Sequence, residues 1–367
     1  MENRINSTQT FFMIIIIFSI TKFYALPATL SGISNEASYQ ALALNFIIDF
    51  LLLLSCVYIV KFQPKKCLYD SSISLFGKGL TNFIFIVYAI YFLIKAFIPI
   101  LEQKNTISLT FYESQPTLLI FMPYFIVAFY IIVKGVNAFF RSVGLVFWLW
   151  LTAFIITLAL SISSAKFSAL LPIIQPKNKI LKGTYTAFLW FGDPISILFF
   201  EKFLKDKKAL FKKSVIAFIT CALATLLLYI VFYSIFESIS ERQYYAPIKM
   251  SKYSLTLSNI GRLDYFGAIL FSIVSVYAVT MPILLANVCV MQVFKLKKTY
   301  LSGAILVAIE TILVFLFQNE IFENIKFIID NIMPFLLVVC YALPLIMFLR
   351  ILFMKKENLT LKGEVNV

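Results

Sequence analysis

The chain has 367 residues, of which 61% are hydrophobic and 14% charged, with a net charge of +14 and no histidine. Soluble domains average about 45–50% apolar and about 25% charged residues, so this balance excludes an ordinary soluble domain. With a mean hydropathy of +0.92 laid out in runs near bilayer length, it marks an integral membrane protein. The missing histidine removes His-based acid–base catalysis, His proton relays and ordinary His-ligated zinc or haem sites.

Ten apolar spans follow one another, at about 10–30, 40–60, 80–101, 117–134, 143–164, 184–200, 213–236, 264–291, 300–317 and 332–354. The first carries Thr21, Lys22 and Pro27 inside its apolar run. Another span follows at once, so it reads as a membrane helix rather than a cleaved signal peptide. The sixth is interrupted by Gly192-Asp193-Pro194. Proline removes a backbone donor and clashes with the preceding turn, and Gly and Asp favour non-helical backbone. In hydrocarbon such a break survives only where protein or a polar cavity satisfies the freed backbone groups. Matching breaks in two halves of a polytopic chain point to a solute site at the bilayer midplane. The segment 318–331, with Ile321, Phe322, Ile325, Ile328 and Ile329 at helical spacing, is expected to form a short interfacial helix. The polar loop 237–262 is long enough to cap a vestibule or meet a partner.

Loop charge orients the spans. With both termini in the cytoplasm, twenty Lys and Arg fall on the cytoplasmic side and ten on the other, as the positive-inside bias requires. The net charge is therefore assigned to loop lysines and not to nucleic-acid binding. An even count divides into five plus five. The expected fold is an all-α polytopic membrane protein, residues 1–367 forming one transmembrane domain of ten helices. Its two inverted repeats, at about 10–164 and 184–354, would each open with a broken helix (helices 1 and 6).

Charge inside a bilayer costs about 2.5–3.5 kcal/mol at a helix centre, so Lys22, Asp49, Lys95, Asp193 and Glu310 each need a reason. Asp193, between Gly192 and Pro194, can bind a substrate ammonium, take a proton or bond unwound N–H groups; it can equally be an N-cap ahead of Pro194. Lys22 can pair with Asp193, neutralise a substrate carboxylate, or snorkel to an interface. Lys95 is read as a snorkelling lysine, and Asp49 and Glu310 as polar groups bonded to neighbouring helices. Tyr88, Tyr91 and Tyr277 are candidate pocket rings or simple interhelical packing. The five cysteines (Cys56, Cys67, Cys221, Cys289 and Cys340) lack C-x-x-C spacing and read as small apolar residues. No nucleophile–base pair, phosphate loop or metal spacing occurs, so neither an enzyme nor a cofactor is expected; Gly77-Lys78-Gly79 has the wrong spacing for a P-loop.

Several stretches together resemble the spore germination receptor B subunits, the endospore germination permeases. They are Thr8-Gln9-Thr10-Phe11-Phe12 with Thr21-Lys22-Phe23 and Leu26-Pro27; Leu171-Pro172, Phe191-Gly192-Asp193 and the lysines from Lys202 to Lys213; and Gly261-Arg262-Leu263-Asp264 within 259–266. A fainter likeness lies in Gln115-Pro116-Thr117 and Lys134-Gly135-Val136 with Arg141. The resemblance implies the amino acid–polyamine–organocation superfamily and ten spans in a five-plus-five inverted repeat. It also implies a nutrient-sensing subunit in the spore inner membrane, working beside an A subunit and a C lipoprotein subunit. The ligand, typically an amino acid, would meet Thr21 and Lys22, Tyr88 and Tyr91, Gly192 and Asp193, and Tyr277 and Thr280, with the helix breaks at Pro27 and Pro194. The chain departs from relatives in Ser19-Ile20-Thr21-Lys22, where a glycine-rich stretch is common, and in Asp193 and Asn137, where many carry Glu. A secondary transporter of an amino acid or amine is the alternative on the same fold.

Overall fold

Apolar backbone with no water to bond must satisfy itself, and helix is the local way to do so. The computed structural model describes residues 5–62, 67–110, 117–172, 175–204, 207–253, 263–296, 299–319 and 321–364. Among them the chain is helical apart from short connections and one isolated parallel bridge between Ile5 and Leu204. The helices in order are α1 (Ser7–Ile20), α2 (Leu26–Ser34), α3 (Ser38–Phe62), α4 (Leu68–Phe76), α5 (Lys78–Thr110), α6 (Thr117–Lys134), α7 (Val136–Ser161) and α8 (Lys177–Ala187). They continue with α9 (Ser196–Phe200), α10 (Lys207–Phe236), α11 (Ala246–Lys252), α12 (Leu263–Phe294), α13 (Thr299–Phe317), α14 (Ile321–Phe327), α15 (Met333–Leu337) and α16 (Leu343–Glu364).

Among the described residues, seven stretches are long and apolar enough to cross a bilayer: Leu26–Lys61, Lys78–Ser108, Val136–Ser164, Ala209–Arg242, Tyr265–Phe294, Thr299–Phe317 and Glu323–Phe353. Two shorter apolar helices, Ser7–Ile20 and Ile120–Lys134, accompany them. Large apolar side chains such as Phe83, Leu145, Trp148, Leu223 and Leu316 stand exposed on these helices, the surface a lipid-facing protein presents.

The helix α12 is the inner post: it packs along α5, α6 and α7, and its segment is the most buried of the seven. α1 lies between α10 and α7, and α3 between α8, α10 and α16. The start of α1 and the end of the α9 segment are stitched by backbone, Ile5 N–H donating to the Phe203 carbonyl at 2.7 Å. Asn6 caps α1 reciprocally with Gln9, a capping box that fixes where the helix begins.

Two loop expectations change. The segment 318–331 is not a separate interfacial helix: α14 runs through a π-helical stretch (Ile328–Ile332), α15 and a second π-helical stretch (Val338–Ala342) into α16. Ile325 and Ile328 are buried, so its apolar stripe meets protein and the helix has no cause to end at the interface. Within 237–262, residues Glu237–Arg242 form a 3₁₀ turn and Ala246–Lys252 form α11. α11 packs on α7 and α12 with Pro247, Met250 and Ser251 buried. Motif residues Gln115-Pro116 and Gly261-Arg262, and the charges of Arg4, Lys65, Lys66, Lys205, Lys297 and Lys298, lie outside the described residues.

Candidate functional site

The first break begins where α1 stops at Ile20 and ends where α2 starts at Leu26. Pro27 stands in the first turn of α2, where a missing N–H costs nothing; the unwound residues are Thr21 to Ala25. Thr21 Oγ1 donates back to the Ile17 carbonyl at 3.2 Å, and Tyr229 of α10 donates to the Lys22 carbonyl at 3.0 Å. Tyr24 donates its hydroxyl to the Phe271 carbonyl at 3.0 Å, and its carbonyl accepts Tyr245 N–H at 3.1 Å. Protein thus supplies the partners that this backbone would otherwise find in water.

The second break runs from the 3₁₀ turn Phe188–Trp190 through Phe191 and Gly192 to a second 3₁₀ turn, Asp193–Ile195, which leads into α9. Gly192 is left-handed, φ +92°, and a Cβ there would collide with Cys340 Sγ and crowd the Tyr91 hydroxyl. Both backbone conformation and close approach therefore call for glycine. Its N–H is bonded to both oxygens of Asp49 at 3.1 Å each. Asp49 also accepts the Tyr341 hydroxyl at 2.5 Å. Cys340 Sγ donates to the Gly192 carbonyl at 3.3 Å.

The two breaks meet through charge. Lys22 Nζ lies 2.6 Å from Asp193 Oδ2 and 4.6 Å from the centre of the Phe191 ring. Lys95 Nζ is 3.6 Å from the other carboxylate oxygen and donates to the carbonyls of Leu189 and Phe191 at 3.1 and 2.9 Å. Both Lys22 and Asp193 side chains are at most 4% exposed, so each charge depends on the other for compensation. Two ammonium and two carboxylate groups (Lys22, Lys95, Asp49 and Asp193) thus fill one buried layer. Two helical turns further along α5, Glu102 accepts Trp190 Nε1–H at 2.8 Å through Oε1, while its Oε2 has no hydrogen-bond partner among the described residues.

The carboxylate of Asp193 faces cations, and no side-chain bond caps the 3₁₀ turn it opens, so the N-cap alternative is not used. Thr21, Lys22, Tyr91, Gly192 and Asp193 come together; Tyr88 lies beside them, edge-on to Phe199 of α9 at 5.2 Å. Tyr277 and Thr280 are not brought to the charged layer by any contact observed. Tyr277 leans on Phe139 at 5.6 Å, and Thr280 bonds back to Val276 of its own helix. Lys95 does not snorkel: its ammonium turns inward to the second break. Its sequence signal is spacing, because Tyr88, Tyr91, Lys95 and Glu102 recur at three, four and seven residues and so share one helix face. Glu310 is fully buried, and neither of its oxygens has a partner among the described residues.

The fold is similar to that of a solved mutant of the Eremococcus coleocola manganese transporter. The TM-score is 0.56 at 11% identity, over 94% of this chain and 78% of that one. No curated protein matches the chain. The family model described as spore germination protein, of permease type, matches residues 4–324. With nearly the whole chain covered by that model, and a transporter-like helical fold around two facing breaks, this protein belongs to the spore germination protein family of membrane permeases.

Proposed function

We propose that the chain is the nutrient-sensing membrane subunit of a spore germination receptor, and that it binds a zwitterionic amino acid between the two breaks. The observation that carries this reading is the buried Lys22–Asp193 pair spanning them. A zwitterion can enter such a pair without leaving a charge uncompensated, its carboxylate to Lys22 and its ammonium to Asp193, with Lys95 and Asp49 balancing the layer. An anion or cation alone would strand one partner. Thr21, Tyr88, Tyr91 and Gly192 would form the walls of that site, and Tyr277 and Thr280 belong to the proposal only as a more distant wall.

The seven long helices, the shorter α1 and α6, and the broken α8–α9 segment support a ten-span reading in two five-helix inverted repeats. Loop charge supports both termini in the cytoplasm, with the chain in the spore inner membrane beside an A subunit and a C lipoprotein subunit. A secondary transporter of an amino acid or amine is the second reading, supported by the fold shared with a transporter. Manganese is a poor cargo here: no group of three or more His, Cys, Asp or Glu able to hold a metal occurs among the described residues.

The test measures thermal stabilisation of the purified protein by a panel of amino acids, by their decarboxylated amines and by their deaminated acids. Stabilisation by a zwitterion alone, lost in Asp193→Asn and Lys22→Met, supports the reading. Equal stabilisation by the amine or the acid refutes it. Uptake of the same amino acid into proteoliposomes would shift the assignment to the transporter.

A further inference from the structure

Away from the breaks, a cavity of about 280 Å³ lies between the C-terminal end of α12, the α6–α7 junction at Gly135 and α9. That is close to the small end of ligand pockets, about 300 Å³. No charged residue lines it among the described residues; its polar groups include the amides of Asn137, Asn287 and Gln292. Asn287 is 2% exposed, its Oδ1 has no hydrogen-bond partner among the described residues, and the same holds for Gln292 Oε1. Among the described residues the Asn287 NH₂ group meets only the weak acceptor Met291 Sδ, at 3.7 Å.

A buried amide oxygen left unpaired costs about 1–3 kcal/mol, and an apolar residue at position 287 would avoid that cost. We propose that this cavity is a binding site for an uncharged small molecule with an apolar body and an amide- or hydroxyl-type head that hydrogen-bonds the Asn287 amide. A charged ligand would find no counter-charge among the described wall residues, which separates this site from the Lys22–Asp193 layer. The two are nevertheless neighbours through one ring. Phe199 lines the cavity, and its ring also packs against Tyr88 at 5.2 Å, Phe92 at 5.1 Å and Phe85 at 5.8 Å. Phe199 stands on α9, the helix that leaves the second break, so an occupant bears directly on that helix.

Cys67 also lines the cavity, and the other four cysteines are buried. Maleimide alkylation of Cys67 in the full-length protein is therefore a reporter of occupancy. Burial and then the contact with Asp70 push the Cys67 thiol up, so labelling is run at about pH 8.5, the ordinary thiol pKa. The probes are benzamide, benzylammonium, benzoate and L-phenylalanine at equal concentrations. Benzamide at ten times its dissociation constant is expected to slow alkylation about tenfold by mass action, whereas the three charged probes leave the rate unchanged. Asn287→Leu is expected to abolish the protection, leave unliganded labelling as before and raise the unfolding temperature; Gln292→Leu gives a second comparison should that variant not fold. Absence of saturable protection by benzamide, equal protection by the charged probes, or protection that survives in both variants overturns the proposal.

Discussion

Asp193→Ala leaves the Lys22 ammonium, 1% exposed, without its carboxylate. At 2.6 Å and an effective dielectric of about 20, the attraction lost is about 6 kcal/mol. Lys95, at 3.6 Å, loses a weaker one. Desolvation already offsets much of this in the native protein, so truncation of one partner is expected to cost about 3–5 kcal/mol. Asp193→Asn keeps an acceptor for Lys22 and should fall at the lower end. Removing both charges in Lys22→Met/Asp193→Asn should restore most of the stability, because the Lys22 ammonium is no longer stranded and Lys95 keeps its bonds to the Leu189 and Phe191 carbonyls with Asp49 as the remaining opposite charge, giving a coupling of about 3 kcal/mol in a double-mutant cycle. Unfolding of the purified variants in detergent measures the cycle, and germination of spores carrying each variant measures sensing. Stability should return in the double variant while the nutrient response stays lost. A coupling below about 0.5 kcal/mol, the level of independent sites, would refute the claim that this pair joins the two breaks. A double variant that responds normally would refute its part in binding.

Three further outcomes follow from the same geometry. Gly192→Ala combines a left-handed backbone with a collision against Cys340 Sγ, so a loss of about 1–3 kcal/mol and a lower protein level in the membrane are expected; wild-type stability would show that the break adjusts. Glu102→Gln keeps an amide oxygen for Trp190 Nε1–H, 2.8 Å away, and should cost little, whereas Glu102→Leu strands that donor at about 1–3 kcal/mol; thermal unfolding compares them, and equal effects would remove Glu102 from the support of the Phe188–Trp190 turn. Arg242, with a side chain 83% exposed, and the exposed Lys78 are expected on opposite membrane faces; in a cysteine-free background, single cysteines at these positions should be labelled from opposite sides by an impermeant maleimide, and labelling from one side breaks the ten-span topology.

The positions of both breaks were legible because proline and glycine act locally: Pro27 must sit in a first helical turn, and Gly192 supplies a φ that other residues resist. What was hidden is which way buried helices face. α3 and α5 are apolar nearly all round, so nothing in their hydropathy shows that Asp49 and Lys95 turn toward the second break. Lys95 reads as a snorkelling residue for that reason, although its spacing from Tyr88, Tyr91 and Glu102 holds the needed clue. Tyr277 and Thr280 are hidden for the opposite reason. Their residue types suit a pocket, but α12 is buried on several sides, and they face Phe139 and their own backbone. The continuity of 318–331 with the last helix depends on π-helical turns, which have no reliable sequence mark.

The second of those wide turns, Val338–Ala342, has a mechanical meaning. It contributes two consecutive residues to one spot, Cys340 to the Gly192 carbonyl and Tyr341 to Asp49, although neighbours in a regular helix point about 100° apart. The extra backbone of a π-turn makes this pairing possible. The last helix therefore grips the second break by two adjacent fingers and carries that grip straight along its axis to the far end of α16. Twisting or lifting α16 cannot leave Gly192 undisturbed. The last helix is, by that attachment, a crank on the peptide at the centre of the second break.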